Sequence, residues 1–374
     1  MKIRAAVLNA MGVPPPYSET KPISIETIEL DDPGPGEVLV KMAAAGLCHS
    51  DLSIISGERP RPMPMVIGHE CAGIVEKTGP GVDDFKKGDH VILVFMPSCG
   101  HCVPCSEGRP ALCDPGLAAN IAGTLISGAR RLKRSGTYIN HQVGVSAFAD
   151  HAVVSRNSLV KVDAALPLDI GALFGCAVLT GMGAIVNAAK VTAGSTVGVV
   201  GLGGVGLSAV LGALAAGASR IVAVDLLDHK LALARQLGAS DAFNASKPNC
   251  IEEIRAATGG GLEYVVETAG AADAMNTAYR ITRRGGTTVT IGLPPPDAAL
   301  SVPLVNMVAE ERTVKGSYLG SSSPLRDLPR YISLYRQGRL PVDRLMTDHI
   351  KLEDINAGFE RLRRGEAIRQ VILF

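Results

Sequence analysis

Three sets of residues in this 374-residue chain have types and spacings suited to chemistry. In the first, Cys99, Cys102, Cys105 and Cys113 fall within the stretch CGHCVPCSEGRPALC. Three thiols at spacings of three residues, with a fourth eight further on, can wrap one tetrahedral ion. Zn²⁺ is the usual occupant of a four-thiolate site. The alternatives are four reduced surface thiols or an iron–sulfur cluster. Free thiols so close together are an oxidation liability. A cluster usually has a longer spacing or a Cys-Pro at its last ligand, whereas Asp114 stands between Cys113 and Pro115 here. With four anionic ligands and no open position, a zinc ion in this set braces a loop and does no chemistry.

The second set is dispersed. Cys48 lies in GLCHSD, His69 in GHE and Cys176 in GCAVLTG. Singly, each is weak, because Cys is often a small buried hydrophobe and a lone His is usually structural. Together, two thiolates and an imidazole supply three ligands and leave the fourth zinc position open to a water or a substrate. Asp51 and Glu70 are acids beside these ligands. Their role is to orient the imidazole, or transient ligation in the case of Glu70. Cys71 and Cys250 have no partners at useful spacing and read as ordinary thiols.

The third set is Gly201-Leu-Gly203-Gly204-Val205-Gly206. It follows the strand-like run Thr196–Val200 and opens an apolar helix, and an acid, Asp225, ends the next strand-like run. In that context the glycines let the backbone approach a pyrophosphate, which sits on the helix N-terminus. The Asp225 carboxylate accepts hydrogen bonds from ribose hydroxyls and repels a 2′-phosphate. Leu226 and Leu227 follow it, so no adjacent Arg offers to bind that phosphate. NAD is therefore expected over NADP.

These residues need two kinds of scaffold. The first stretch of the chain holds short strand-like runs, Ile23–Ile28, Glu37–Met42, Gly73–Lys77 and His90–Phe95, broken by Pro and Gly. It reads as an irregular, mostly β domain. From about residue 178 the pattern becomes strand, helix, strand, helix: Thr196–Val200, Gly206–Ala216, Arg220–Val224, Leu231–Leu237, Tyr264–Glu267, Thr287–Ile291. That alternation implies a parallel sheet with helices on its faces. An amphipathic helix over Leu352–Gly365 and a last strand, Gln370–Phe374, follow. Residues 191–219 carry no charge and approach the length of a membrane span, but Gly194, Gly198, Gly201, Gly203, Gly204 and Gly206 within it favour a buried strand, a glycine turn and a buried helix.

Composition excludes several classes. Lys plus Arg is 37 and Asp plus Glu is 36, so no basic excess offers itself to nucleic acid. A hydrophobic fraction of 47% with 20% charged residues excludes intrinsic disorder. The start, MKIRAAVLNAMGVPPP, lacks the long apolar region of an export signal, so a cytoplasmic location with reduced thiols is expected. The basic cluster Arg130, Arg131, Lys133, Arg134 reads as a solvated loop face.

GHE, the four-Cys stretch, GCAVLTG, GLGGVG and the ending GEAIRQVILF together resemble the zinc-dependent medium-chain alcohol dehydrogenases, over nearly the whole chain and in the same motif order. Alcohol dehydrogenase is itself the standard example of a Cys₂His catalytic zinc site. The resemblance implies an α/β protein: a GroES-like, mostly-β catalytic domain over 1–177, a Rossmann doubly wound parallel-sheet coenzyme domain over 178–317, and a return to the catalytic domain over 318–374. It implies catalytic zinc on Cys48, His69 and Cys176 and structural zinc on Cys99, Cys102, Cys105 and Cys113. Ser50 matches the family's hydroxyl relay residue, and Asp51 the acid behind the zinc ligands. His49 and Arg369 match positions that approach the coenzyme pyrophosphate, and Lys230 one near the adenosine ribose. Phe95, Val143, Leu293 and Tyr318 fall where family members line the substrate pocket. The segment around Leu300–Val305 matches where family dimers join their sheets, so a homodimer or homotetramer is expected.

The activity implied is reversible hydride transfer between a small alcohol or aldehyde and NAD, with no nucleic-acid or membrane partner. A primary, medium-sized or aromatic alcohol is expected. The rival of the same fold is a dehydrogenase of thiol–formaldehyde adducts. Against it, Arg59 and Leu117 replace the acid and the Arg that such enzymes carry. A second rival, a non-catalytic dinucleotide-binding protein on this scaffold, fits poorly with a chain that keeps every zinc ligand. Ser53 stands where many family members have a His that passes the proton to solvent.

Overall fold

Short β-branched and apolar runs near the start of the chain build two mostly antiparallel layers in the computed structural model, which describes residues 1–374. The strands are β1 (Lys2–Leu8), β2 (Ile23–Leu30), β3 (Glu37–Gly46), β4 (Met65–Val66), β5 (Glu70–Thr78), β6 (His90–Leu93), β7 (Leu132–Arg134), β8 (Thr137–His141), β9 (His151–Ser155) and β10 (Leu159–Val162). A closed barrel runs β1-β2-β7-β8-β4, and a second sheet runs β10-β6-β5-β3, with β9 also on β3. β3 is the pivot. Eight of its ten residues are buried, and it pairs with β5 from Val38↔Thr78 to Gly46↔Glu70. That register places the ends that carry Cys48 and His69 side by side.

The stretch 117–142, whose path the sequence does not announce, runs through the helix Asp114–Ala122 and then into β7 and β8 of the barrel. The basic cluster lies there, and each cation has a partner. Arg131 pairs with Glu37 (2.7 Å), Lys133 with Asp31 (2.8 Å) and Arg134 with Glu26 (3.4 Å), while Arg130 bonds Asn140 (3.0 Å). The Arg131–Glu37 pair ties this stretch to β3 of the second sheet, and the others lie within the barrel region.

The second unit follows the alternation expected of it. Strands β11 (Thr196–Val200), β12 (Arg220–Asp225), β13 (Asp241–Asn244), β14 (Leu262–Glu267), β15 (Thr282–Thr290) and β16 (Thr313–Gly316) form one parallel sheet in the order β13-β12-β11-β14-β15-β16. This is the doubly wound Rossmann order, which reverses direction beside the first strand and places a ligand crevice at the carboxyl ends there. Uncharged residues 191–219 resolve into β11, the glycine turn and the buried helix Gly204–Ala215, as expected. A helix that is long and apolar enough to cross a membrane does occur, over Leu168–Ala189, but it is mostly buried within the protein.

The chain returns to its first unit less simply than a single third segment from 318. Contacts group Met1–Cys176 with Ser323–Pro329 and Met346–Phe374, and Ala177–Ser322 with Arg330–Leu345. Residues 330–345 stay with the second unit because Tyr331 reaches Asn187 (3.4 Å) and Arg344 reaches the Gln236 carbonyl (3.1 Å). Strands β17 (Asp348–Ile350) and β18 (Gln370–Leu373) then complete the second sheet of the first unit, β18 lying antiparallel on β3. The amphipathic run from Leu352 begins with a short 3₁₀ turn, and its α-helix spans Ile355–Arg363.

One buried base makes the first unit acid-sensitive. His141 ends β8 with no exposure, and its Nε2 accepts the Arg131 N–H at 3.0 Å. Burial, reinforced by the Arg130 and Arg131 charges, lowers its pKa from 6.5 to about 3. The unfolded chain therefore takes up a proton below pH 6.5 that the folded chain refuses until about 3. The stability this group contributes is complete above pH 6.5 and is lost as pH falls toward 3. Denaturant midpoints of wild type and His141→Gln, which keeps an acceptor, should converge between pH 7 and pH 4; parallel pH dependence in the two proteins would refute this account.

Candidate active site

β3 ends at Gly46, and Cys48 caps the helix His49–Ile55 that follows. The Cys48 N–H donates to Asp51 Oδ2 at 3.2 Å, so Asp51 fixes the turn on which it sits. His69 directly precedes β5. Cys176 lies where the helix Leu168–Ala189 widens into a π turn over Phe174–Val178, a distortion often found at functional sites. The three ligand atoms lie within 4.8 Å of one another and all three residues are buried. Cys176 Sγ is 3.4 Å from His69 Nε2. A tetrahedral zinc with its usual bond lengths sets sulfur and nitrogen about 3.6 Å apart, so this set fits the ion.

The surroundings aim the ligands. Asp51 Oδ1 faces His69 Nδ1 at 2.7 Å, which leaves Nε2 for the thiol side. A hydrogen bond from Cys176, aided by Arg369 and His69 against the cost of burial, holds the Cys48 thiol well below its ordinary range. The same bond, with burial, pushes Cys176 well above it. Burial disfavours a charged His69, but Asp51 and Cys48 outweigh it and raise the imidazole well above 6.5. Metal uptake by this set therefore releases protons.

Glu70 opens β5 with no exposure, and Arg369 Nε stands 3.6 Å from its Oε1. Arg369 Nη1 also donates to the Leu47 carbonyl at 2.9 Å. Arg369, matched from sequence to a coenzyme-contacting position, is thus 3% exposed and engaged with the loop that carries Cys48. Phe95 meets the His69 ring edge-on, with centroids 5.4 Å apart. His49 is exposed and Ser50 half-buried, on the first turn after Cys48. Val143 is half-buried with φ 44°. Of the departures, Arg59 and Ser53 are half-buried and Leu117 is 48% exposed on the helix Asp114–Ala122.

Sequence reasoning missed Gln142. Its Nε2 donates to Asp51 Oδ1 at 2.6 Å, and its Oε1 accepts the Gly68 N–H. No spacing marks it; it sits unremarked before Val143.

The four-Cys lobe is equally well formed. Its sulfurs also lie within 4.8 Å of one another, with Cys102 and Cys113 Sγ 3.9 Å apart against about 3.8 Å for a tetrahedral zinc. Backbone N–H groups of Cys99, Cys102 and Gly116 point at sulfurs at 3.1–3.4 Å, the arrangement that stabilises thiolates. Backbone donation, first from His101, lowers Cys99 to about 6, while burial pushes Cys105 up to about 12.

In the second unit, Gly201 takes φ 91° between β11 and the helix Gly204–Ala215. A Cβ on Gly206 would stand 1.8 Å from the Gly201 carbonyl, so only glycine lets the helix start so close to the strand. A Cβ on Gly203 would meet nothing within 4 Å. That open face is what a pyrophosphate approaching the backbone requires. Val205 is half-buried on the first turn of the helix. Asp225 ends β12, and its carboxylate accepts the N–H groups of Leu202 (2.6 Å) and Leu227 (3.0 Å). The residue expected from sequence to meet a ribose therefore also braces the glycine turn. Lys230 is half-buried on the helix Asp228–Gln236. Leu293, 44% exposed, and Tyr318, half-buried, follow β15 and β16 in this unit; only Phe95 of the expected pocket residues is in ring contact with a ligand of the buried set.

Known proteins agree with this arrangement. Residues 34–164 match the model of the alcohol dehydrogenase GroES-like domain, and residues 204–336 match that of the zinc-binding dehydrogenases. The chain is 41% identical to an NDMA-dependent alcohol dehydrogenase of Amycolatopsis methanolica, covering 100% of this chain and 99% of that protein. Among solved structures, an alcohol dehydrogenase zinc-binding domain protein from Burkholderia ambifaria superposes with a TM-score of 0.94 at 34% identity, covering 100% and 99% of the two chains. Benzyl alcohol dehydrogenase from Acinetobacter calcoaceticus does so with a TM-score of 0.93 at 32% identity and the same coverage. Two family models over most of the length, with full-length relatives above 30% identity, place this chain in the zinc-dependent medium-chain alcohol dehydrogenase family.

Proposed function

We propose that this alcohol dehydrogenase transfers hydride reversibly between NAD and a primary alcohol, medium-sized or aromatic, using Cys48, His69 and Cys176 as catalytic zinc ligands and the four-Cys lobe as a structural zinc site. The observation that carries the reading is the buried Cys₂His set, held by Asp51, with Phe95 against its imidazole. When bound, zinc supplies Lewis acidity and the nicotinamide ring the hydride acceptor. The chain's own residues do the rest. Asp51 fixes the His69 ring, and Phe95 shields one side of it from water. Ser50 accepts the alcohol proton and passes it on, since a hydroxyl can accept one hydrogen bond while donating another. Ser53 cannot hold that proton, so His49 or water carries it outward. The Asp225 carboxylate favours a free 2′-hydroxyl, which supports NAD. The Acinetobacter neighbour is a benzyl alcohol dehydrogenase, which supports an aromatic substrate. Arg59 and Leu117 speak against a thiol–formaldehyde adduct.

A second reading concerns the electron acceptor. The Amycolatopsis relative is NDMA-dependent; if this chain shares that trait, alcohol turnover requires added NDMA.

The metal assignment is testable by stoichiometry. Purified protein should hold two zinc ions per chain. Cys176→Ala should lose one zinc and all turnover while remaining folded, and Cys102→Ala should lose the other and chiefly destabilise the protein. Full activity in metal-stripped protein would sink the assignment.

The reaction is tested with benzyl and short-chain alcohols, each with NAD, NADP or NDMA, and with formaldehyde with and without glutathione. Turnover of primary alcohols with NAD and without thiol is expected, and Ser50→Ala should lower the rate about 10²–10⁴-fold. Activity confined to NDMA would replace the first reading with the second. Strict thiol dependence would promote the adduct reading.

The same proposal includes a homodimer. β16 is an edge strand, and Leu304, Val305 and Val308 on the preceding short helix are 72–78% exposed. An open strand edge beside a bare apolar patch is a template for pairing. Light scattering should find a dimer or tetramer, and Leu304→Asp with Val308→Asp should yield monomers; a monomeric wild type would refute it.

A further inference from the structure

Asp51 has no exposure, and a carboxylate without water needs its charge matched by donors. Its oxygens face three groups: His69 Nδ1 and Gln142 Nε2 on Oδ1, at 2.7 and 2.6 Å, and the Cys48 N–H on Oδ2, at 3.2 Å. Two of these groups belong to residues of the Cys₂His set. Gln142 alone comes from elsewhere in the chain. The other end of the same amide accepts the N–H of Gly68, the residue before His69. One side chain thus holds both the acid that aims the imidazole and the backbone that carries it.

Gln142 is itself fixed. Its N–H donates to Ser146 Oγ (3.0 Å), and its carbonyl accepts from Val145 (2.9 Å) and Ser146 (3.3 Å). Ser146 Oγ in turn donates to the Val66 carbonyl (2.8 Å). The chain can pass this close at Gly68 because that residue takes φ 103°, where a Cβ would stand 2.6 Å from the Phe148 nitrogen. Gln142 is 2% exposed, so no water can replace either of its bonds without a rearrangement.

We propose that Gln142 is a positioning residue for the catalytic metal: its amide clamps Asp51 to the Gly68–His69 backbone and so sets how tightly the Cys₂His set retains zinc. This rests on the zinc assignment proposed above. Outer partners of metal-bound imidazoles commonly weigh 10–100-fold in metal affinity. The four-Cys lobe provides an internal control, because Gln142 hydrogen-bonds Gly68, Asp51, Val145 and Ser146 and none of the lobe's residues.

The test is zinc release from the intact, fully loaded protein into excess chelator, followed with a chromogenic zinc indicator. In Gln142→Met, which keeps length but neither bond, one zinc should leave about 10–100-fold faster than in wild type. The second should leave at the wild-type rate. General loosening would speed both. Equal acceleration of both ions, or of neither, overturns the proposal. If Gln142→Met does not fold, Gln142→Asn, which keeps the amide but draws it back by one methylene, is judged by the same two rates. A wild type that holds a single zinc overturns the metal assignment, and this inference with it; two zincs with unchanged selectivity in the variants overturn this inference alone.

Discussion

The hydrogen bond between Asp51 and His69 is the constraint on which the first unit's chemistry depends. A buried carboxylate is costly unless every oxygen finds a donor. Here the donors come from the Cys48 turn, the His69 ring and the Gln142 amide, so satisfying one charge fixes three separate pieces of chain. β3 and β5 deliver two of those pieces by their register, and the turn after β8 delivers the third. The barrel, which holds no ligand itself, matters because it ends in that turn.

A second buried pair works beside the first. Arg369 and Glu70 are both sealed from solvent at 3.6 Å, and the guanidinium also holds the Leu47 carbonyl. A positive charge next to two sulfurs favours thiolates. The Glu70 carboxylate balances that cation, while its own charge opposes a thiolate at Cys176. In the second unit the same economy recurs with different groups: the Asp225 carboxylate ties the glycine turn to β12 and still has lone pairs to offer a ligand. Its replacement would disturb the turn whatever it does to coenzyme choice, so a changed preference in such a variant would not isolate the ribose contact.

Much of this was legible in residue order. The four-Cys set lies in one short, dense motif, whereas Cys48, His69 and Cys176 are dispersed and gain meaning only when read together as a Cys₂His set. The Rossmann strands were legible because central parallel strands are continuous β-branched runs, as in Thr196–Val200. What escaped had a physical reason in each case. Gln142 acts through two bonds to residues 74 and 91 positions away, and an amide has no sequence signature of its own. The segment 117–142 is held by pairs such as Arg131 with Glu37, 94 residues apart, which look from the sequence like loose surface charge. The split of 318–374 between units turns on contacts such as Tyr331 with Asn187, which no periodicity encodes.

The tie between Arg369 and Leu47 joins residues 322 positions apart. At translation speeds of about 5–20 residues per second, roughly 16 to 64 s separate the synthesis of the two. Through that interval Cys48, His69 and Cys176 have all been or are being made, while the cation that balances Glu70 does not yet exist. The nascent chain therefore carries Cys48 and Cys176 in an unfinished pocket, open to oxidants and to competing metal ions. The four-Cys lobe needs only residues 99 to 113 and can close early in synthesis. The four-Cys set and the Cys₂His set thus mature on different clocks, and the Cys₂His set is completed last.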